Sequence, residues 1–416
     1  MMRLVYLSPV RWASFAQRPH KFVSWFHHNT GADVLWIDPY PTRFPTLSDF
    51  QRMRDRSEEQ NEANLNWVTV IKPSVLPVEP LPGSALLNAM MWGPLLRTID
   101  EFARPGKCVL GIGKPSVLAL AILKRLTGCQ SVYDAMDDFP AFYSGLSRWA
   151  MCRREAQLAR KVDSVLVSSS ALEGKWRRAG ANVQLVLNGL DAEGVPAFAG
   201  RPVAKGRKVL GYVGTIAAWF DWEWVIALAK SRPLDEVRLI GPVFCSLPAD
   251  LPQNVRILPA CNHREALAAM QQFAVGLIPF KKNDLTDSVD PIKYYEYRAF
   301  GLPVIATAFG EMALRDGETG VFLSEGVEDI AHLVDAALEH KTSVEVVQQF
   351  RTANAWTSRF SVLNPAQWKL DLASSHGDTH ERLQPVPSSQ TSQPAQLSQP
   401  PHSLQLRQDD DGGVGM

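Results

Sequence analysis

The sequence predicts an α/β protein made of two doubly wound parallel-sheet domains in tandem, followed by a disordered tail. Three observations carry this expectation. Short runs rich in Val, Ile and Leu alternate with longer amphipathic stretches, the signature of βα units whose strands are covered on both faces. The alternation stops at residues 191–207 (DAEGVPAFAGRPVAKGR), where Gly, Pro and charge appear without a period, and then restarts. From residue 374 onward the chain holds 7 Gln, 7 Ser and 5 Pro and no Phe, Trp or Tyr. Such a segment cannot bury enough apolar surface to offset its ordering entropy.

In order along the chain, the first domain (1–190) is expected to take its strands from 3–10, 32–38, 66–72, 107–113, 130–134, 164–169 and 183–188. After the linker, the second domain (208–350) is expected to take strands from 208–214, 236–241, 254–259, 273–280, 303–307 and 320–323. Trp356, Phe360, Leu363 and Trp368 mark 351–372 as a helical segment that packs back on the first domain. Residues 373–416 are the expected disordered tail. A chain of 416 residues suits two domains of ~100–200 residues each plus such an extension.

Charge and cysteine usage narrow the function classes. Lys+Arg and Asp+Glu are equal at 43 each, which argues against nucleic acid as a partner, since binding it means neutralising many phosphates. The five cysteines, Cys108, Cys129, Cys152, Cys245 and Cys261, are odd in number and form no Cys-x-x-Cys pair. That pattern suits a reducing compartment and argues against a disulfide framework or a structural zinc site. The N-terminus lacks the long apolar core of a signal peptide, and no run reaches the ~20 apolar residues of a membrane span, so a cytoplasmic location is expected. The nine histidines show no metal-ligand spacing.

In open parallel sheets, ligands bind outside the carboxyl ends of the strands. The most informative segment there is 273–307. Asp290 suits an N-cap, Pro291 the first helical position and Gly301 the position just past a helix, so a short helix is expected over 291–300. Its N-terminus offers free N–H groups and a positive dipole to an anion. Lys293 lies in its first turn, and Glu296 follows on the same face. A base contacting phosphate beside a carboxylate accepting ribose hydroxyls would bind a sugar nucleotide; the plainer reading of the same two residues is a helical ion pair.

Four blocks carry a family resemblance: VDSVLVSSSALEGKWRRAGANVQLVLNGLD (162–191), LGYVGTIAAWFDWE (210–223), PIKYYEYRAFGLPVIAT (291–307) and FGEMALRDGETGVFL (309–323). In this order they resemble GT-B glycosyltransferases of the large family 4 type and related exopolysaccharide enzymes. The helix at 291–300 also resembles that of the xanthan glucuronosyltransferase and of teichuronic-acid glycosyltransferases. The resemblance implies a GT-B fold and transfer of a sugar from a nucleotide-sugar, UDP-linked, to a glycan or a polyprenyl-diphosphate-linked acceptor. It implies no metal or other cofactor. Donor contacts fall on Gly214 and Thr215 of the glycine loop and on Lys293, Glu296 and Tyr297 of the helix. Two positions depart from the family: Ser288 replaces the first of its two glutamates, and Thr215–Trp219 lacks its Arg and Lys. Lys293 then becomes the leading phosphate ligand, with Lys281 and Lys282 in reserve, and the family's retaining stereochemistry is no longer implied.

An inverting transfer needs a carboxylate to take the acceptor's proton. SVYDAMDDFPAFY (131–143) follows a strand and offers Asp134, Asp137 and Asp138. Asp138 is the first choice and Asp137 the second because they lie furthest beyond the strand; a helix cap and a solvated turn are the plain alternatives. After the first strand, Arg18 and His20 are placed to hold an acceptor phosphate, although Arg18 could equally cap a neighbouring carboxylate. Gly111, Gly113 and Lys114 lack a full phosphate-loop pattern and read as a tight strand-to-helix turn. Basic residues beside tryptophans, at Arg148-Trp149, Arg153-Arg154, Arg160-Lys161 and Lys175-Trp176-Arg177-Arg178, suit peripheral contact with the inner membrane face; Glu155 and Asp163 dilute the charge, and a plain solvated face is the alternative. Two alternatives compete: a catalytically silent GT-B scaffold subunit, and a sugar-nucleotide 2-epimerase of the same architecture.

Overall fold

The computed structural model describes residues 2–40, 65–73, 88, 90–104, 107–198, 200 and 206–363. The expected tail and Trp368 lie outside the described residues. Two all-parallel sheets organise the rest. The first has strands β1 (Met2–Leu7), β2 (Asp33–Ile37), β3 (Val68–Ile71), β4 (Lys107–Ile112), β5 (Gln130–Ala135), β6 (Ser164–Val167) and β7 (Val183–Leu185) in the order β3-β2-β1-β4-β5-β6-β7. The second has β8 (Val209–Val213), β9 (Glu236–Ile240), β10 (Val255–Leu258), β11 (Val275–Ile278), β12 (Val304–Thr307) and β13 (Val321–Ser324) in the order β10-β9-β8-β11-β12-β13. The chain reverses direction across each sheet between β1 and β4 and between β8 and β11, so each sheet has a crevice at the carboxyl ends of those strands.

The helices between the strands are α1 (Arg18–Thr30), α2 (Gly93–Ala103), α3 (Val117–Arg125), α4 (Gly145–Ala159) and α5 (Ser170–Arg178) in the first half. The second half has α6 (Trp222–Ser231), α7 (His263–Met270), α8 (Ile292–Ala299), α9 (Gly310–Ala313), α10 (Ile330–Glu339), α11 (Val344–Asn354) and α12 (Trp356–Phe360). Helices cover both faces of each sheet at its centre, which is why the central strands read as apolar runs, whereas the edge strands β3, β7 and β10 are partly exposed. In β1, Leu4 and Tyr6 enter one core while Val5 and Leu7 enter the other, as the two-residue period of a strand requires. Gly111 on β4 is a packing position: a Cβ there would stand 2.5 Å from the ring of Tyr6. Lys114, just beyond, donates to the Tyr40 carbonyl at 3.2 Å, in keeping with a strand-to-helix turn.

The chain passes between the sheets twice, side by side. Leu190 donates to the Asn354 carbonyl at 2.9 Å, and Trp356 donates to the Leu190 carbonyl at 3.1 Å. α12 then lies on the first sheet's helix α1: the Phe360 ring is 5.5 Å from Phe22 and 5.6 Å from Trp25, and Leu363 joins the same core. Loops at the carboxyl ends of the two sheets meet. The Glu311 carboxylate accepts the N–H and the hydroxyl of Ser170, both at 2.9 Å, Asn188 bonds Asp290 twice at 2.7 Å, and Arg148 stands 3.5 Å from Asp284.

Candidate active site

On the second sheet, the loop after β8 is fixed in place by its neighbours. Tyr212 donates to the Thr215 carbonyl at 2.8 Å, and Lys281 donates its N–H to the Trp219 carbonyl at 2.8 Å, joining this loop to the one after β11. Gly241 approaches so closely that a Cβ on it would lie 2.1 Å from the Gly214 carbonyl oxygen. The Lys293 stem passes over the same loop, its Cε 3.4 Å from where a Cβ of Gly214 would be. Its ammonium sits 2.7 Å from Glu296, with both side chains largely buried. The two residues read together from their spacing are thus together in space, beside the glycine loop, as the ion pair of the plainer reading.

The helix bearing them starts one residue later than expected. Pro291 is the N-cap, and Gly301, at φ +63°, ends the helix. The N–H groups of Ile292 and Lys293 have no acceptor among the described residues, which leaves the positive end of α8 open. Asp290 does not cap it. Its buried carboxylate instead receives the Asn188 N–H at 2.7 Å, the Tyr295 hydroxyl at 2.8 Å and the Arg315 guanidinium at 2.6 Å. Such a hub ties the crossing segment to α8, and the desolvated carboxylate takes three strong donors in place of one cap bond. Tyr297 is also corrected. It is fully buried, its hydroxyl accepts the Val213 N–H at 3.0 Å, and it anchors α8 to β8 without reaching the cleft. Of the reserve lysines, Lys282 is paired with Glu325 at 2.6 Å, whereas Lys281 is exposed with no ion pair among the described residues. Ser288, at the departed glutamate position, is 6% exposed and its hydroxyl has no partner among the described residues.

On the first sheet, the three aspartates after β5 have three different environments. Asp134 is buried against Arg18, which donates to both carboxylate oxygens at 3.0 and 3.3 Å and to the Val186 carbonyl at 2.6 Å. Arg18 therefore caps a carboxylate, and at 3% exposure it does not reach an acceptor. His20 is likewise turned inward. Its Nδ1 accepts the Gln17 N–H at 3.2 Å, its Nε2 lies 3.1 Å from the Trp12 carbonyl, and its ring packs 4.9 Å from Trp36. Burial holds its pKa down. Both expected acceptor ligands are thus core groups, because the first turn of α1 packs directly on the sheet.

Asp138, the first choice for the base, is engaged. Lys175 bridges it at 2.9 Å and Glu155 at 2.8 Å, and Tyr133 donates to Glu155 at 2.8 Å. Burial pushes Lys175 toward neutrality, but Glu155 and Asp138 outweigh it and hold the ammonium charged. Asp137 is half-buried and its carboxyl has no hydrogen-bond partner among the described residues. Burial raises its pKa; Arg18 pulls it down, Asp134 and Asp138 push it up, and the result is about 7. An unpaired carboxyl near pH 7, at the carboxyl end of a central strand, has the properties of a general base.

Glu311, Ser170 and Asn188 are the residues that sequence reasoning missed, and Lys175, read as a membrane contact, instead holds Asp138 and Glu155. Glu311 and Ser170 both lay inside the quoted family blocks, but nothing in their spacing brings them together. No three His, Cys, Asp or Glu side chains converge among the described residues as a metal centre would need.

Two parallel sheets of this order, meeting through loops at the carboxyl ends of their strands, define the GT-B fold. The comparisons with known proteins agree. Over 90% of this chain and 100% of the other, the fold is similar to sucrose-phosphate synthase from Thermosynechococcus elongatus, with a TM-score of 0.65 at 14% identity. It is similar over 90% of this chain and 99% of the other to Anabaena HepE in complex with UDP and glucose, with a TM-score of 0.56 at 15% identity. In sequence, the chain is 27% identical over 237 residues to a Bacillus subtilis (strain 168) protein named "Putative teichuronic acid biosynthesis glycosyltransferase TuaH". That match spans 51% of this chain and 59% of the relative's length. No family model matches. The resemblance to GT-B glycosyltransferases read from the four sequence blocks is thus met by both kinds of comparison.

Proposed function

We propose that this chain is a glycosyltransferase that moves a sugar from a UDP-sugar to a hydroxyl of a glycan or a polyprenyl-diphosphate-linked acceptor in exopolysaccharide or cell-envelope assembly. The observation that carries it is the unpaired Asp137 carboxyl, near pKa 7, on one side of a cleft whose other side presents the open end of α8 with Lys293 and Glu296. The relative's name supports the transferase class, and the UDP-glucose complex of HepE, which shares the fold, supports the donor class.

In this reading Glu296 accepts the ribose hydroxyls, and Lys293 turns from Glu296 to the diphosphate beside the Gly214–Thr215 loop. The N–H groups of Ile292 and Lys293 add their dipole, and Lys281 is the nearest reserve cation. Asp137 takes the proton of the acceptor hydroxyl as its oxygen bonds the anomeric carbon. The bond from that carbon to the phosphate oxygen breaks, and its electron pair leaves on UDP. The anomeric centre inverts. No metal or other cofactor is part of the scheme, because the leaving charge is met by Lys293 and the helix end. A lipid-linked acceptor would bring the protein to the inner face of the cytoplasmic membrane.

The test is donor hydrolysis across a panel of sugar nucleotides. UDP release from at least one UDP-sugar is expected, together with thermal stabilisation by that donor. A silent scaffold releases none, and a 2-epimerase converts the sugar without an acceptor; either result overturns the proposal.

A further inference from the structure

We infer that the outer stripe of α4 is a docking surface for an anionic lipid bilayer. Phe142, Leu146 and Trp149 are 46%, 83% and 61% exposed, although the opposite face of the helix, with Met151, Glu155 and Leu158, is locked into the core. Leu146, Trp149 and Arg153 recur at three- and four-residue steps and share one face. The Arg153 guanidinium lies 5.6 Å from the Trp149 ring centre, so cation and ring form one amphipathic unit. Arg160, exposed at the end of the same helix and seven residues past Arg153, adds a second guanidinium to this face, whereas Arg148 points away from it toward Asp284. Carboxylates do not cancel this charge: Glu155 is buried and taken by Lys175, and Asp284 meets only Arg148, at 3.5 Å.

An apolar stripe this open is costly in water unless something covers it. Tryptophan and arginine beside exposed aliphatic groups match a headgroup boundary, where rings sit at the interface and guanidinium groups meet lipid phosphates. The complementary charge favours an anionic bilayer over a second copy of this chain, whose same stripe is also cationic. The structure also narrows the candidates read from sequence. Trp176 is 3% exposed and Lys175 is committed to Asp138 and Glu155, so the Lys175–Arg178 group offers no tryptophan to a membrane.

Position gives the surface a purpose. Phe142 closes the short turn Phe139–Phe142, whose cap is Asp138, the residue after Asp137. The stripe therefore starts at the rim of the cleft that holds the candidate base. That use, delivering a lipid-linked acceptor to Asp137, rests on the glycosyltransferase reading; the surface stands on its own residues.

Co-sedimentation with vesicles tests it. The full chain should pellet with phosphatidylcholine–phosphatidylglycerol vesicles (roughly 3:1) and not with phosphatidylcholine alone, and ~0.5 M salt should release it. Leu146→Ser/Trp149→Ser should weaken binding at least about ten-fold. Arg153→Ser/Arg160→Ser should weaken it roughly twenty-five-fold, at about five-fold per arginine. Both variants should keep the wild-type melting temperature and donor hydrolysis. Equal binding to neutral vesicles, or unchanged binding by both variants, overturns the proposal. So does a wild-type dimer that Leu146→Ser/Trp149→Ser dissociates while no vesicle is bound. Stripe-dependent vesicle binding without UDP release from any donor would leave the surface standing and remove the transferase reading.

Discussion

Lys175 holds Asp138 at 2.9 Å and Glu155 at 2.8 Å, so of two adjacent aspartates after β5 one is neutralised and its neighbour is left free. The choice of base turns on this contact. Asp137→Asn should lower turnover by ~10²–10⁴ with donor binding retained, whereas Asp138→Asn should cost far less. Turnover measured beside nucleotide thermal shifts separates the two; equal losses in both variants would return the base to Asp138 or to neither.

The pH dependence follows from Asp137's raised pKa. Activity needs the ionised form, so kcat/KM should rise with pH through about 7 and level off above it. Arg18 pulls that pKa down, so Arg18→Gln should move the rising limb to higher pH. A pH profile of kcat/KM for both proteins checks the sign, since a purely structural loss would lower the plateau and leave the limb in place.

Stability should run the other way. A carboxyl whose folded pKa lies above its unfolded value holds its proton more tightly when folded. Stability is therefore lost as pH rises from the unfolded pKa, ~4, to about 7. Asp137→Asn removes that loss, so its melting temperature should exceed wild type at alkaline pH and match it near pH 4. Identical melting curves at both pH values would show that Asp137 is solvated.

Lys293→Ala removes the proposed charge-assisted contact to the diphosphate, worth ~1.5–3 kcal/mol, so UDP affinity should fall roughly ten- to a hundred-fold. Calorimetric titration with UDP reads this directly. Unchanged affinity would move the phosphate site to Lys281.

The Arg18–Asp134 pair is buried at both ends. Asp134→Asn should destabilise the fold by ~3–5 kcal/mol, because it strands the guanidinium away from water. Denaturant unfolding of Asp134→Asn and of Asp134→Leu/Arg18→Met should show the double variant recovering much of the loss; equal losses would mean that the shape of the site matters more than its charge.

The central strands were legible because helices cover both sheet faces there and each became a largely apolar run. Helix α8 was legible from Pro291 and Gly301, within a residue at each end. What escaped was pairing across the chain. Arg18 finds Asp134 and Lys175 finds Asp138 only after the sheet has lined up β1, β4, β5 and β6. Polar side chains read singly on loops therefore looked available when they were committed. Asp290 failed as a cap for the same reason: Arg315 and Asn188, distant in sequence, are stronger partners than a free N–H. Lys293 and Glu296 were readable because their contact is local to one helical turn.

The packing of Phe360 on Phe22 and Trp25 has a consequence for biosynthesis. As the polypeptide leaves the ribosome, every strand of the first sheet emerges early, yet the aromatic residues that seal its outer layer come only after the whole second sheet. At ~5–20 residues per second the nascent first half waits on the order of ten seconds or more with the Phe22 surface uncovered. A ribosome-bound chain stalled before Trp356 should therefore bind holdase chaperones through that surface, and one stalled far enough beyond Leu363 for it to clear the exit tunnel should not.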